Sequence, residues 1–328
     1  MINPTHIEAY TFFGLEKGPS LLVIGAIHGD ETCGSKAIKK INNLISKHDI
    51  KIISGRLTMI PTANPLAVYL KSRNGDRNLN RNFYPKVSPK DNEDHLNNIL
   101  CPIIEQHDIV LDLHSFKIGD KPFALIKSIN DDHSILINIS NYHSKLSEKT
   151  LASWLGVQTV VGNWTDTYDA GVNKRIKRRE LKKDSLENLN VDKRYGMGTT
   201  EYSRKNNAIA VTLECGQHSD PQSETIAFNA IKSVLAQLKM VEKNEGKINI
   251  NKINFMKLFE VFDKNELDDN FLRPWKNFDK IEKGTQIAIR ACGDKIIATE
   301  DCTILFPNEN ANPEHEWFYL AKTFDSKT

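Results

Sequence analysis

A histidine and a glutamate stand three residues apart directly after a short apolar run. His28 and Glu31 follow the run 21–27, in a turn that contains Gly29 and forms part of the motif GAIHGDE. An imidazole and a carboxylate in one tight turn can converge on a point, and zinc takes nitrogen and carboxylate oxygen ligands of this kind. A catalytic zinc site needs three protein ligands and one open position, so a third ligand must come from elsewhere. An isolated pair with this spacing is more often a loop histidine and a solvated glutamate.

The third ligand is predicted at the end of another apolar run, IVLDLHS, at residues 109–115. Asp112 and His114 are two residues apart, so on a strand they share one face. His114 is the natural third ligand, and the Asp112 carboxylate could orient its ring. The alternative is a core histidine beside an aspartate. A second histidine at a strand end favours the metal site.

A further apolar run, IAVTLEC at residues 209–215, carries Glu214 near its end. A carboxylate in such a place is costly to bury unless it is paired or used. Partial burial would raise its pKa toward the range of a general base. Beside a zinc ion, Glu214 could take a proton from water and pass it to a leaving nitrogen.

A polar loop at residues 71–84 is crowded with guanidinium and amide groups. These groups suit recognition of a carboxylate, and one guanidinium could polarise a carbonyl. Composition alone leaves a solvated loop equally possible. The residues concerned are Arg73, Arg77, Arg81, Asn78, Asn80 and Asn82.

The alternation of apolar runs with a helical pattern predicts an α/β fold. Residues 32–46 repeat apolar positions at helical spacing, as do residues 226–238. Such an alternation of strands and helices is typical of a mixed sheet that is flanked by helices. In these folds the active site usually lies beyond the carboxyl ends of the strands. The predicted strands, of which the first is an edge strand, are 6–13, 21–27, 57–60, 109–115 and 209–215.

The bulk composition excludes several classes of partner. Among 328 residues, 44 basic and 42 acidic side chains give a net charge of +2, which favours neither nucleic acid nor a membrane surface as partner. Five scattered cysteines without CxxC spacing favour a reducing compartment, and we expect a cytoplasmic location. The first residues lack the pattern of a secretory signal, and no apolar stretch is long enough to span a bilayer. Eight further histidines are expected at the surface: His6, His48, His95, His107, His133, His143, His218 and His315.

The character of the sequence changes after a polar segment at 241–251. We predict a catalytic domain at 1–241 and a small β-rich C-terminal domain at 248–328. No lysine stands at a hairpin tip between methionines, which argues against a biotinyl or lipoyl carrier. The short strand-like runs of this part are 253–262, 286–290, 295–299 and 303–306.

A charged insertion is predicted at about 165–200. Its part 174–194 has nine basic and four acidic residues, which favours a solvated helix or a mobile loop. The functional alternative is a lid or a basic rim that attracts anionic substrates. Trp164, Tyr168 and Tyr195 flank this run and could contribute to a substrate pocket.

Four motifs in this order, GAIHGDE, NLNRNF, LDLHS and LECG, resemble the succinylglutamate desuccinylase/aspartoacylase family of the zinc carboxypeptidase superfamily. The motifs span residues 21–216, and they are specific jointly rather than singly. The resemblance implies a zinc-carboxypeptidase-like sheet followed by a β-rich domain, and one zinc ion per chain. The site residues that it implies are His28, Glu31 and His114 as zinc ligands, Glu214 as catalytic acid/base, Arg73 at the scissile carbonyl, and Asn80, Arg81 and Arg204 at substrate carboxylates.

The function expected from these residues is zinc-dependent hydrolysis of the amide bond of an N-acyl amino acid. Water activated by the metal would attack the acyl carbon, with Glu214 as general acid/base. One alternative is a metallocarboxypeptidase that acts on peptide C-termini, and another is a metal-binding module without turnover. The expected partner is a small-molecule substrate, and a homo-oligomer is possible. In the family the C-terminal domain narrows the active site, and Tyr319 could do so here, although core packing is its expected role.

Overall fold

The structure is a computed structural model that describes residues 4–131, 133–139, 142–182, 191–242 and 252–324. Its strands are β1 Tyr10–Phe13, β2 Glu16–Gly25, β3 Ser54–Ile60, β4 Ile109–Phe116, β5 Phe123–Leu125, β6 Ser134–Ile139, β7 Tyr142–Ser147, β8 Thr159–Gly162, β9 Ile209–Gln217, β10 Asn254–Asp263, β11 Asn270–Phe271, β12 Lys280–Ile281, β13 Gln286–Ile289, β14 Lys295–Ile297, β15 Cys302–Leu305 and β16 Glu316–Thr323. Its helices are α1 Cys33–Ser46, α2 Pro65–Leu70, α3 Asn92–Glu105, α4 Glu148–Ser153, α5 Trp164–Lys182, α6 Thr199–Lys205 and α7 Pro221–Gln237, with a short 3-10 helix at Lys193–Gly196.

An 11-stranded mixed sheet forms the centre of the protein, in the order β1-β3-β2-β4-β9-β5-β8-β10-β16-β15-β12. Strands β3, β2, β4 and β9 are parallel neighbours, whereas β1 pairs antiparallel with β3 at one edge. Helices α1 and α7 cover one face, and α3 and α6 cover the other. The predicted α/β class, a mixed sheet flanked by helices, is confirmed.

Strand β2 shows why an apolar run without helical period becomes a central strand. Leu21 and Val23 pack into the core on the α1 side, and Leu22 and Ile24 pack into the core on the α3 side. All four side chains are fully buried, as in a strand covered on both faces. Each such burial stabilises the fold by roughly 1.5–3 kcal/mol, so this run strongly favours the centre of the sheet.

The C-terminal region continues the central sheet. Strand β10 pairs in parallel with β8 of the preceding region, and β16 and β15 follow it antiparallel. Strands β11, β13 and β14 form a separate three-stranded sheet. The division into two domains stays a prediction, and positions 243–251 of the proposed linker lie outside the described residues.

Two further findings bear on the expected compartment. In the part of the chain that the structure describes, no helix combines the length and apolarity needed to cross a membrane. All five cysteines are free thiols, and only Cys292 is exposed. The cytoplasmic location stays a prediction.

Candidate active site

Three side chains meet at the carboxyl ends of neighbouring parallel strands. His28 and Glu31 lie in the turn after β2, and His114 lies near the end of β4. His28 Nδ1 lies 2.8 Å from Glu31 Oε1, and His114 Nδ1 lies 2.8 Å from Glu31 Oε2. The three side chains are buried, with 2–3% exposure. They form a buried group that could hold a metal ion.

The turn that carries His28 and Glu31 is held by close backbone packing. A Cβ atom at Gly29 would lie 2.1 Å from the backbone of Ala67 in α2, so only glycine fits there. The Gly29 N–H also donates to the Arg73 carbonyl oxygen at 3.4 Å, and the Glu31 N–H donates to the His28 carbonyl oxygen at 3.2 Å. The turn is therefore fixed between β2 and α2, which aims both of its side chains at the end of β4.

The surroundings of the two imidazoles fit a bound cation. His28 Nε2 lies 3.0 Å from Asn78 Oδ1, and His114 Nε2 lies 2.9 Å from Asp112 Oδ2. Because a neutral imidazole carries one N–H, protons on the two Nε2 atoms leave both Nδ1 lone pairs facing the Glu31 carboxylate. In this neutral form, which a metal ligand requires, the lone pairs and the carboxylate oxygens at 2.8 Å would repel each other, and a metal ion between them would take the place of the proton that His114 otherwise holds.

The local charges favour a positive charge at the same point. Burial, together with Arg73, lowers the pKa of His28 to about 4, so this imidazole is neutral near pH 7. Burial opposes a charge on His114, but Asp112 and Glu31 outweigh it and hold the His114 pKa well above its usual value. Burial also works against ionisation of Glu31, yet the two histidines hold its pKa well below the usual range. Glu31 is thus a carboxylate that gains from a neighbouring cation.

Glu214 lies beside this group on the adjacent strand. The parallel register of β4 and β9 pairs His114 with Glu214 directly. Glu214 is 9% exposed, and its Oε2 atom has no hydrogen-bond partner among the described residues. Burial, and then the charge of Glu31, raises the Glu214 pKa to about 7. The carboxyl group can therefore exchange a proton near neutral pH.

Comparison with known proteins identifies the part of the chain that carries this site. Residues 17–138 match the succinylglutamate desuccinylase/aspartoacylase catalytic domain. The matched segment is less than half of the chain, and over that segment the predicted resemblance to this family is confirmed.

Individual relatives agree with this family. The chain is 32% identical over 105 residues to the N-alpha-acetyl-L-2,4-diaminobutyric acid deacetylase of Halomonas elongata, which is 30% of this chain and 29% of that protein. The alignment thus spans less than a third of the curated relative. The fold resembles the succinylglutamate desuccinylase of Vibrio parahaemolyticus, with a TM-score of 0.70 at 16% identity over 98% of this chain and 92% of the other. It also resembles the product-bound ectoine utilization protein EutE (DoeB) of Ruegeria pomeroyi, with a TM-score of 0.65 at 18% identity over 95% and 88%.

The family motifs line a single cavity of about 630 Å³. Arg73, which the resemblance places at the scissile carbonyl, donates to Glu31 Oε1 at 2.7 Å and is 44% exposed. It therefore reaches a ligand of the proposed metal while it remains open to the cavity. The predicted loop 71–84 lies between α2 and α3 and holds no strand.

Asn80 and Arg81 lie in the same cavity, as the family resemblance implies. Asn80 Oδ1 accepts a hydrogen bond of 2.9 Å from the backbone N–H of Thr199, at the start of α6. Arg81 donates to the Asn80 carbonyl oxygen at 2.9 Å, and its guanidinium lies 5.0 Å from the centre of the Trp164 ring. Among the described residues, Arg81 forms no ion pair.

Arg204 does not have the geometry that the family resemblance implies. It lines the cavity, but Nε donates to Glu148 Oε1 at 2.7 Å and Nη1 donates to Glu201 Oε1 at 2.8 Å. The remaining donors bind the Thr200 hydroxyl, Glu148 Oε2 and the Ala210 carbonyl oxygen. All five guanidinium N–H groups are therefore used by protein acceptors, and the binding of a substrate carboxylate by Arg204 stays a prediction.

Sequence reasoning also missed residues at the cavity mouth. His218 was expected at the surface, but it lines the cavity, and its Nδ1 atom lies 2.8 Å from the Ser115 hydroxyl. Its Nε2 atom faces Asp30 Oδ2 at 3.8 Å. The surface prediction is also wrong for His107, which is buried against Thr58. Only the short spacing between Glu214 and His218 pointed to the cavity.

The described part of the charged insertion is mostly helix with several exposed side chains, as one of the predicted alternatives has it, but not all of its basic residues are solvated. Its described part begins with α5, and Arg175 of this helix is 1% exposed. Arg175 binds Asp263 through two hydrogen bonds of 2.9 and 2.8 Å, and it binds Glu316 at 2.9 Å. The basic run thus joins α5 to β10 and β16. Positions 183–190 of the insertion lie outside the described residues.

The C-terminal region closes one side of the cavity. Tyr319 of β16 is 3% exposed, lines the cavity, and packs against Phe306. Its hydroxyl has no hydrogen-bond partner among the described residues. Tyr319 thus combines the expected core packing with a position on the cavity wall.

Proposed function

We propose that this protein is a zinc-dependent hydrolase that cleaves the amide bond of an N-acyl amino acid. The observation that carries the proposal is a buried carboxyl group, Glu214, beside a His-Glu-His group that fits a cation. Structural zinc sites are closed by four ligands, whereas this group has three and faces a cavity. The names of the family and of the Halomonas elongata relative both describe removal of an acyl group from an amino acid.

His28, Glu31 and His114 are proposed to hold the zinc ion, through two nitrogens and a carboxylate. When bound there, zinc would supply the Lewis acidity that makes water nucleophilic near neutral pH. Asn78 lies at hydrogen-bond distance behind His28, and the Asp112 carboxylate lies 2.9 Å from His114 Nε2, and partners behind a ligand of this kind help to orient its ring.

Glu214 is proposed to carry the proton between water and the leaving amine. A pKa of about 7 allows it to accept a proton in one step and release it in the next. Its Oε2 atom has no competing protein partner among the described residues, so it can receive the proton of a nearby water.

Arg73, Asn80 and Arg81 are proposed to position the substrate. The Arg73 guanidinium lies at the ligand group, where it can donate to the oxygen that becomes negative in the transition state. The side-chain oxygen Oδ1 of Asn80 accepts from the start of α6, which leaves the side-chain NH₂ group for a substrate oxygen. Arg81 offers a planar fork to a carboxylate while Trp164 supports its face.

The test is amine release by zinc-loaded protein, with acetyl, succinyl and longer acyl amino acids beside peptides with a free C-terminus. We expect turnover of acyl amino acids, and we expect Glu214→Gln to lower it by about 10²–10⁴-fold while zinc stays bound. A matched control is Glu242→Gln. The Glu242 side chain is 58% exposed and forms only a surface ion pair with Lys51, so the same change of charge is made away from the cavity. Turnover of peptides alone would move the function to a metallocarboxypeptidase, and no turnover of any substrate would favour a binding module.

A further inference from the structure

One wall of the cavity contains an arginine that is already neutralised. Arg204 of α6 lines this wall with Leu125, Ile126, Thr200 and Thr212. Its side chain is 13% exposed and is held by five protein acceptors. We call this surface the Arg204 wall.

The ion pairs of the Arg204 wall leave this surface with a net negative charge. Arg204 contributes one positive charge, whereas Glu148 and Glu201 contribute two negative charges. Glu148 and Glu201 are 13% and 18% exposed, so solvent screens them only in part. A carboxylate that approached this wall would meet like charge and would find no free guanidinium donor.

The other cations of the cavity differ from Arg204 in how they are used. Arg73 binds the proposed metal ligand Glu31, and Lys117 is 69% exposed and lies 3.6 Å from Asp30. Among the described lining arginines, Arg81 alone forms no direct ion pair, although burial is outweighed by the charge of Glu316, which lies close enough to raise the Arg81 pKa, and its one hydrogen bond goes to the Asn80 carbonyl oxygen. The cavity therefore offers one well-placed guanidinium for one carboxylate.

We infer that the cavity selects N-acyl amino acids with a single carboxylate, held by Arg81, and rejects a second carboxylate at the Arg204 wall. This inference rests on the proposed function and names its substrate class. The side chain of the amino acid and the acyl group are then uncharged or cationic. N-acyl aspartate, N-acyl glutamate and N-succinyl amino acids fall outside the class.

Substrates that differ only by one charge provide the test. N-acetyl-asparagine and N-acetyl-glutamine have nearly the same shape as N-acetyl-aspartate and N-acetyl-glutamate. We expect kcat/KM for each amide to exceed that of its acid by at least about tenfold, because the acid meets like charge without a partner. Equal rates, or faster hydrolysis of the acids, would overturn the inference.

A double variant tests whether the Arg204 wall causes the preference. Glu148→Gln with Glu201→Gln keeps the size of both side chains and an oxygen that can accept from the Gly198 N–H, but it frees the charge of Arg204. We expect the amide-to-acid ratio to fall by about tenfold, whereas Glu242→Gln should leave it unchanged. An unchanged ratio in a folded double variant would contradict the assigned cause, and the parent comparison stands even if that variant fails to fold.

Binding measurements separate this inference from the proposed function. Titration calorimetry with the zinc-loaded Glu214→Gln variant compares N-acetyl-asparagine with N-acetyl-aspartate without turnover. Tighter binding of the amide with no hydrolysis by the parent protein would support the inference and overturn the proposed function. Equal affinities would overturn the inference, whatever the parent protein hydrolyses.

Discussion

Two sides of the same cavity are built in different ways. On one side, the strand-end group of His28, Glu31, His114 and Glu214 follows from the parallel register of β2, β4 and β9. On the other side, the Arg204 wall and the adjoining helix α5 depend on ion pairs that include distant partners, from Arg204–Glu148, 56 positions apart, to Arg175–Glu316, 141 positions apart. The chemical group is therefore assembled by the strand order from short motifs, each recognisable by itself, whereas the shape and charge of the pocket depend on side-chain partners that no local motif identifies.

The sharpest way to break this comparison is to remove a strand-end ligand. We expect His114→Ala to lower bound zinc from about one ion per chain to near zero, because two ligands cannot hold a catalytic zinc ion. Turnover should disappear with the metal, while the wall and the fold remain. Metal analysis after dialysis against zinc, together with circular dichroism, measures both quantities.

The control for this variant is His95→Ala, which removes an exposed imidazole from α3. It should keep full zinc content and activity. Stoichiometric zinc in folded His114→Ala would contradict the proposed ligand set.

The strand-end group could be predicted because each member stands next to its own structural signal. Leu21–Ile24 and Ile109–Leu113 have no helical period, and such runs become central strands when both faces are covered. The parallel order of the sheet then brings the residues at their carboxyl ends together. The order in which the strands pair, with β2 between β3 and β4, could not be predicted from the sequence.

The wall could not be predicted, because its residues have no local signal of their partners. The basic run around Arg175 is typical of a solvated helix, yet the Arg175 side chain is buried and pairs with Asp263 and Glu316. Likewise, the spacing of Arg204 from Glu214 matched the family, but nothing nearby indicated that Glu148 of α4 would take its donors. Charge complementarity between distant elements becomes visible only when the fold has brought them together.

A smaller effect is expected from the carboxylate behind a ligand. Asp112 is fully buried, and it lies 2.9 Å from His114 Nε2 and accepts a hydrogen bond from the Thr199 hydroxyl. We expect Asp112→Asn to weaken zinc binding by about 10–100-fold, because the imidazole loses a charged partner that orients it. Competition with a chelator of known affinity measures this change, and an unchanged affinity would show that Asp112 serves the core alone.

The smallest effect on turnover is expected from the Arg175 ion pairs of α5, although their effect on stability is large. Arg175→Met removes the nearest cation of the buried Asp263 and of the partly exposed Glu316, while Arg178 stays 3.8 Å from Asp263, and breaking a buried pair costs about 3–5 kcal/mol of unfolding free energy. Urea unfolding measures that loss, with Lys182→Met as a control because Lys182 is 55% exposed and its ion pair contributes little. Zinc content should stay unchanged, whereas KM should rise several-fold, since α5 carries the Trp164 ring that supports Arg81. If folded Arg175→Met instead lost zinc in the absence of urea, the two sides of the cavity would be one cooperative unit and the comparison would fail.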